Sequence, residues 1–294
     1  MLSNFGAAGA LLATLGAWVL LATPAWAEQY QLGCAKPPFP VKTSKRSIDG
    51  TCGNSGDTKT GPKGVQNRVK NNLCRTGPTT TLTFADFKSL QEAVAAKQIT
   101  FGASFSNGQR TEHFPSNRNQ LSAKSLGTRV GEGAVVRVVG LMADPHYSDV
   151  GEGEDVNCHR PTEAENDIHI NLVEAPAPPR PAQHDPDHAQ KLAAFHSALC
   201  TGIVVEVIPH FRPAAYEMAV LGPIADKHVP VRISGQLFFD ASHHPCRNGT
   251  PGHGDPARMS LWEIHPVYAI EVCKNDRLDR CPAQDDSVWS LVRQ

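Results

Sequence analysis

Histidines and carboxylates recur on strand-like segments in the second half of this 294-residue chain. Strict alternation along one segment places Asp167 and His169 on the same strand face, and along another it places Glu263 and His265 together. Imidazole and carboxylate groups are ligands of divalent metals in proteins, and they also act as general acids and bases. The sequence therefore allows metal or acid–base chemistry at a site where these two strand faces adjoin.

Two more residues extend this hypothetical site, because Asp240 ends another strand-like segment and His243 follows it. The hypothetical metal ligands are His169, His265, His243 and Asp240, and the residues that would orient an imidazole or act as a base are Asp167 and Glu263. The alternative is a polar outer barrel face on which some of the 13 histidines are neighbours by chance. No ligand pair shows the fixed spacing that makes a metal motif specific.

Motifs of the common hydrolases are missing from the sequence. It contains no G-x-S-x-G, no H-E-x-x-H and no P-loop, so an esterase, a zincin or a nucleotide hydrolase has no direct support. No C-x-x-C spacing occurs either, which argues against a structural zinc site.

Five short β-rich runs follow one another in the second half of the chain. They occupy 134–142, 167–173, 202–208, 231–239 and 260–272. A short helix between the third and fourth runs is predicted to begin at Pro213 and to end at Gly222-Pro223. This order predicts a mainly β, α+β protein built on an OB-like five-stranded Greek-key barrel, with helical insertions and a disulfide-tied N-terminal segment.

Helices are predicted on either side of the first two strands. Thr83 and Asp86 form a capping box ahead of a helix that runs to about Lys97, and residues 102–132 are predicted to be a loop. A proline-rich insertion at 174–199 ends in a helix with Leu192, Phe195 and Leu199 on one face. The predicted divisions are a signal peptide at 1–27, a basic cysteine-containing arm with one helix at 28–132, the barrel at 133–274 and a tail at 275–294.

Charge is distributed unevenly although the net charge is only -1. Residues 36–75 hold nine Lys/Arg and two Asp/Glu, which allows a contact with a polyanion or the cell envelope through this arm. A solvated basic loop is the alternative. Nucleic-acid binding is disfavoured, because the second and third predicted strands contain no aromatic residue on which bases could stack.

The amino terminus indicates export. An uncharged apolar run at 6–22 precedes Thr23-Pro24-Ala25-Trp26-Ala27, whose small residues suit cleavage before Glu28. The first residues lack Lys and Arg, so an uncleaved anchor is the alternative. The expected destination is the periplasm or the exterior, with no transmembrane helix in the mature chain.

Eight cysteines, an even number, favour disulfides in an oxidising compartment. Their positions beside the predicted strands suggest the pairs Cys158–Cys200 and Cys246–Cys273. The pairing of the others, Cys34, Cys52, Cys74 and Cys281, stays open.

Several stretches resemble one group of uncharacterised secreted bacterial proteins with an OB-like fold. GQLFFDASHHPC and SLWEIHPVYAIEVC resemble its C-terminal signature, while IDGTCGNSG, QNRVKNNLC, GEGAVVRVVG, GEDVNC and NDIHINL resemble its other motifs in the same order, over about 47–273. The resemblance implies a bacterial origin and export, and it transfers no catalytic residue. The motif members in this chain are His169, Asp240, His243, Glu263 and His265.

These observations favour an exported protein that works by binding, without a cofactor, to a ligand that the sequence does not identify. A metal-dependent hydrolase with a divalent metal, of the phosphodiesterase or nuclease type, is the first alternative. A structural component of the cell envelope is the second.

Overall fold

The computed structural model describes residues 39–43, 45–107, 109–252 and 256–293, and the predicted signal peptide lies outside them. The helices are α1 Gly61–Lys70, α2 Phe84–Ala96, α3 Ala123–Leu126, α4 His188–Leu199 and α5 Met218–Asp226. The strands are β1 Thr80–Thr81, β2 Ala103–Ser106, β3 Gln109–Glu112, β4 Val135–Tyr147, β5 Ile168–Val173, β6 Ile203–Val207, β7 Pro230–Phe239, β8 Trp262–Cys273 and β9 Trp289–Leu291.

Five of these strands close into a β-barrel, which confirms the predicted fold. The long strand β4 pairs antiparallel with both β5 and β7, and β5 continues antiparallel to β6. The barrel closes where β6 runs parallel to β8 and β8 pairs antiparallel with β7. This order, with one parallel pair between the third and fifth barrel strands, is that of a Greek-key barrel of OB type.

Alternation along the strands sorts side chains between the barrel interior and its outer face. In β5, the apolar residues Ile168, Ile170 and Leu172 are fully buried in the main core cluster. The residues between them point to the opposite face. Apolar burial of this kind stabilises the barrel and leaves each strand's other face available for a site.

Helix α5 lies between the third and fourth barrel strands, as the element order predicts. It begins at Met218, five residues later than predicted, and it runs through Gly222-Pro223 to Asp226. Leu221 and Ala225 are buried in the core cluster on both sides of the proline. The prediction of a stop at Gly222-Pro223 is therefore wrong, because continued burial of the apolar face offsets the hydrogen bond that Pro223 cannot donate.

Helix α2 confirms its sequence signal. The Thr83 side chain accepts a hydrogen bond from the Asp86 amide and the Asp86 side chain accepts one from the Thr83 amide, so both halves of the capping box are present. Phe87, Leu90 and Val94 are buried along one face and attach the helix to the barrel core. Helix α4 likewise buries Phe195 and Leu199, as expected from their spacing.

The N-terminal segment is more regular than predicted. The expectation of one helix in 28–132 is wrong, because α1 and α3 accompany α2 and a small antiparallel hairpin joins β2 and β3. The predicted loop at 102–132 thus contains the hairpin and α3. Their residues are largely polar and outward-facing, so neither element carries the apolar periodicity that identifies a buried helix or strand.

The disulfides differ from the predicted pairs. The bonds are Cys52–Cys158, Cys200–Cys246 and Cys273–Cys281, so the predicted pairs Cys158–Cys200 and Cys246–Cys273 are both wrong. Cys74 is also disulfide-bonded, while Cys34 lies outside the described residues. The prediction paired cysteines near neighbouring strands, but pairing depends on Cβ atoms meeting in space, which order along the chain does not determine.

The chain after the barrel is attached to it. Strand β9 pairs with β8, and Trp289 and Val292 are buried. Within the described residues, no helix is long and apolar enough to cross a membrane.

Candidate functional site

A row of polar side chains crosses the outer face of the barrel where β5, β6 and β8 lie side by side. His169 of β5 is directly opposite Glu206 of β6. Glu263 and His265 project from β8, which is the next strand after β6. The two polar strips that alternation predicts therefore adjoin, and Glu206 lies between them.

Helix α1 covers this polar face. Its residues Gln66 and Lys70 are buried against the barrel although both are polar. Gln66 donates a hydrogen bond to Asp240 at the end of β7, and the Lys70 ammonium lies 3.7 Å from a carboxylate oxygen of Glu206. The helix thus converts an outward-facing polar strip into a buried charged cluster.

Glu206 is the centre of that cluster. Its Oε1 lies 3.4 Å from Nε2 of His169, and its Oε2 lies 2.8 Å from Nδ1 of His265. Glu154, from the loop between β4 and β5, completes the arrangement at 3.3 Å from Nε2 of His169 and 3.5 Å from Nζ of Lys70. Two imidazoles and an ammonium therefore share two carboxylates.

The acids fix the protonation state of the bases. Burial alone would lower the pKa of both histidines, but Glu206 outweighs it, raising the pKa of His265 to about 9 and that of His169 well above its usual value. Burial also disfavours the Glu206 carboxylate, yet His169, Lys70 and His265 hold its pKa well below the usual range. Both imidazoles are thus cationic at neutral pH.

Asp167 behaves differently from its neighbours. It is fully buried, and neither of its carboxylate oxygens has a hydrogen-bond partner among the described residues. Burial, together with the nearby negative charge of Glu154, raises the pKa of Asp167 to about 6. An acid poised in this way exchanges protons near neutrality or accepts a cation.

The other predicted ligands form a second pairing. Asp240 accepts hydrogen bonds from the ring of His243 and from the guanidinium of Arg258, which also pairs with Glu263. Burial opposes its charge, but His243, Lys70 and Arg258 hold the pKa of Asp240 well below normal. The structure thus brings His169 and His265 together on Glu206, and it places Asp240 and His243 beside them on partners of their own.

A cleft of about 450 Å³ opens onto this cluster. Its lining is polar, and His169 and Glu154 contribute the part nearest the cluster. The other charged residues and histidines of the lining are Lys63, Lys70, Arg110, Glu112, His146, Asp149, Asp155, His159 and His243. The charged cluster is therefore connected to the molecular surface.

A disulfide holds one wall of the cleft. Glu154, Asp155 and His159 lie in the loop between β4 and β5, and Cys158 in the same loop is bonded to Cys52. Asp155 also accepts hydrogen bonds from Thr58 and Asn67, which tie the loop to the segment around α1. The cleft is consequently a preformed feature rather than a gap between loose loops.

Three groups of side chains have donor atoms close enough together to hold a metal ion. Within each group these atoms lie within 4.8 Å of one another, and among the described residues the groups are Asp57/Asp155/His159, Glu154/Asp167/His169 and Asp167/Glu206/His265. The first lies at the cleft rim. The other two share Asp167 and include His169 and His265, which are two of the three predicted histidine ligands; neither the third, His243, nor the predicted ligand Asp240 belongs to any of these groups.

Several site residues escaped the sequence analysis. Glu154 and Lys70 were not identified, because the first lies in an irregular loop and the second in the basic stretch 36–75, where no helix was predicted. Arg258 was missed as well, although it is almost fully buried between Asp240 and Glu263. A polar helix sequence beginning with Gly61-Pro62 was the only available signal for α1.

Comparison with family models, with curated proteins and with solved structures finds no match to this chain.

Proposed function

We propose that this protein is an exported binding protein that takes a small polar ligand carrying both positive and negative charge. The observation that carries the proposal is the cleft above the Glu206 cluster, whose lining combines Lys63 and Arg110 with Glu112 and Glu154. Its volume of about 450 Å³ falls within the range of small-molecule pockets, roughly 300–1,000 Å³. A lining of both signs fits a zwitterion better than a simple anion.

Fixed polar groups make the cleft suitable for binding. His169 and Lys70 are each held by two carboxylates, so their positions are set before a ligand arrives. A preorganised site avoids the entropic cost of ordering side chains on binding. At the mouth, Lys63 and Arg110 both pair with Glu112 and remain partly exposed, where they can exchange that partner for a ligand carboxylate.

Export is the second element of the proposal. Disulfides form and persist in oxidising compartments. Three disulfides join pairs of cysteines within the described part of the chain. They support a periplasmic or secreted location, in agreement with the signal peptide predicted at 1–27. The resemblance to secreted bacterial proteins points the same way.

Thermal-shift measurements test the proposed binding. The mature protein is screened against the free amino acids, citrate, inorganic phosphate and spermidine, and at least one zwitterion should raise Tm. The increase should disappear in Arg110→Gln and Glu154→Gln, and it should persist in Arg129→Gln, which alters an exposed arginine outside the cleft lining. No increase with any probe, or one that survives both cleft variants, would contradict the proposal.

A metal-dependent hydrolase is the second candidate, favoured by one observation. Asp167 lies within reach of both His169 and His265, behind the floor of an open cleft. Such a group, loaded with a divalent ion, would polarise a water molecule. Hydrolysis of bis(p-nitrophenyl) phosphate by metal-loaded protein, abolished in Asp167→Asn, would favour this candidate over binding alone. Absence of turnover with each of Mn²⁺, Co²⁺ and Zn²⁺ would count against it.

A further inference from the structure

Asp167 has an unusual environment for a buried acid. It is fully buried, and neither carboxylate oxygen has a hydrogen-bond partner among the described residues. Buried carboxylates are ordinarily paired, because removing the charge from water without compensation is costly. The position of Asp167 therefore suggests a missing cationic partner.

One neighbour of Asp167 shares this feature. Nε2 of His265 also lacks a hydrogen-bond partner among the described residues, and the side chain is fully buried. The donor atoms that Asp167, Glu206 and His265 offer lie within 4.8 Å of one another. Two donors on one ion with bonds of about 2.0–2.2 Å lie no more than about 4.4 Å apart, which is close to this separation.

The charge of the cluster points to a cation. Its buried or nearly buried carboxylates are Glu154, Asp167, Glu206, Asp240 and Glu263. Lys70, Arg258 and the imidazolium ions of His169 and His265 face them, so five acids meet four cations and one negative charge is left over. An uncompensated charge in a buried cluster is costly, and a divalent ion that displaces the proton of His265 would compensate it.

We propose that Asp167, Glu206 and His265 bind one divalent first-row transition-metal ion. This site goes beyond the binding function proposed for the cleft, because its three ligands lie behind the cleft floor and none of them lines the cleft. The ion would enter past His169 and Glu154, which do line it.

The donor set selects the class of metal. One imidazole and two carboxylates suit Mn²⁺, Fe²⁺, Co²⁺ or Zn²⁺, whereas Ca²⁺ and Mg²⁺ prefer oxygen donors alone. His169 and Glu154 form the adjacent group around the same Asp167, so either can complete the coordination. The six cysteines of the three described disulfides are oxidised, so they do not supply thiolate ligands to a metal.

Lys70 provides an independent test, because it competes with the ion. Its ammonium lies 3.7 Å from Oε2 of Glu206 and 3.5 Å from Oε2 of Glu154. Lys70→Met removes that positive charge, so it should tighten metal binding even though it weakens the folded state. A purely structural cluster would lose stability in the same variant without gaining affinity for any ion.

Equilibrium dialysis with Co²⁺, followed by elemental analysis, measures the site directly. The mature, untagged protein should bind one Co²⁺ per chain and show the visible absorption of a nitrogen- and oxygen-ligated ion. Asp167→Asn should abolish both signals. His159→Gln is the matched control, because it removes a histidine from the exposed rim group and leaves the buried group intact.

Two results would overturn the proposal: no stoichiometric Co²⁺ on the wild-type protein, or Co²⁺ that Asp167→Asn retains and His159→Gln loses. If Asp167→Asn does not fold, ¹⁵N-histidine NMR of the wild-type protein decides. Co²⁺ should then shift or broaden the signals of His265 and His169 and spare that of His159.

The test also separates this site from the cleft function. If the protein binds a zwitterion but takes up no metal, the metal site is contradicted and the cleft proposal is not. If it takes up metal but binds no organic or phosphate probe, the cleft proposal is contradicted and the metal site is not.

Discussion

The Nδ1 atom of His265 lies 2.8 Å from Oε2 of Glu206, in the fully buried space between the barrel and helix α1. The other oxygen of the same carboxylate lies 3.4 Å from Nε2 of His169. One acid on the middle strand therefore connects the polar residues of its two neighbouring strands. This connection makes a single cluster out of side chains that are far apart in sequence.

Removal of the Glu206 charge should be strongly destabilising. Glu206→Gln leaves His169, His265 and Lys70 without their shared acid, and breaking a buried ion pair from one side costs about 3–5 kcal/mol. Urea unfolding followed by circular dichroism measures this loss. Glu92→Gln, on the exposed face of α2, is the control and should change stability by less than about 0.5 kcal/mol. A loss below about 1 kcal/mol in Glu206→Gln would show that the cluster contributes little.

Stability should decrease as the pH rises from 6.5 to about 9. His265 has a folded-state pKa of about 9 against 6.5 for an unperturbed imidazole, and the pKa of His169 is raised in the same direction. Between these values the folded state binds protons that the unfolded state has released, so the stabilisation is complete below 6.5 and is lost as pH approaches the folded pKa. The free energy of unfolding should fall by up to about 1.4 kcal/mol per pH unit for each imidazole.

Urea unfolding at a series of pH values measures this decrease. His265→Gln removes one of the two titrating groups and should flatten the slope over the same interval. A free energy of unfolding that stays constant or increases between pH 6.5 and 9 would be incompatible with buried imidazolium ions.

The two lysines of α1 should differ sharply in their contribution to stability. Lys70 is buried and faces Glu154 and Glu206, whereas Lys63 is 39% exposed and, among the described residues, pairs with Glu112 alone. Lys70→Met should cost about 3 kcal/mol, and Lys63→Met no more than about 1 kcal/mol. The same urea assay compares them, and equal effects would mean that α1 is not held on the barrel by its charged face.

Removal of two disulfides that close loops of very different length should cost different amounts of stability. Cys52–Cys158 joins residues 106 apart, and Cys273–Cys281 joins residues 8 apart. Loop entropy predicts that replacing both cysteines by serine costs about 5 kcal/mol for the first bond and about 2.5 kcal/mol for the second. Only the first should also expose the Glu154 loop to limited proteolysis, because Cys158 holds that wall of the cleft. Cleavage in the loop of the Cys273→Ser/Cys281→Ser variant would contradict this assignment.

The barrel could be predicted because each of its strands is a run rich in β-forming residues. Alternation in β5 and β8 separates apolar from polar residues, and it predicts the shared faces of Asp167 with His169 and of Glu263 with His265. Whether those two faces lie side by side depends on the order of the strands in the barrel. Strand β6 pairs with both β5 and β8, so its residue Glu206 lies between the two polar faces.

The covering helix could not be predicted from the same signal. Helix α1 buries Gln66, Asn67 and Lys70, while Val65 and Val69 are only half-buried, so its apolar residues do not mark the face that packs on the barrel. The Glu154 loop has no regular pattern, and its position depends on a disulfide whose partner is 106 residues away. These contacts arise only in the folded chain, which is why the sequence indicated the histidines of the site but not Lys70 and Glu154, which complete the cluster.

Native mass spectrometry tests the central claim, a ligand-binding cleft above the Glu206 cluster, most directly. The mature protein is mixed with the same panel of amino acids, citrate, phosphate and spermidine and sprayed without denaturation. The account predicts a discrete one-to-one adduct with a zwitterion, lost in Arg110→Gln and in Glu154→Gln and kept in Arg129→Gln. A spectrum that shows only the bare chain, or an adduct equally abundant in all four proteins, would contradict it.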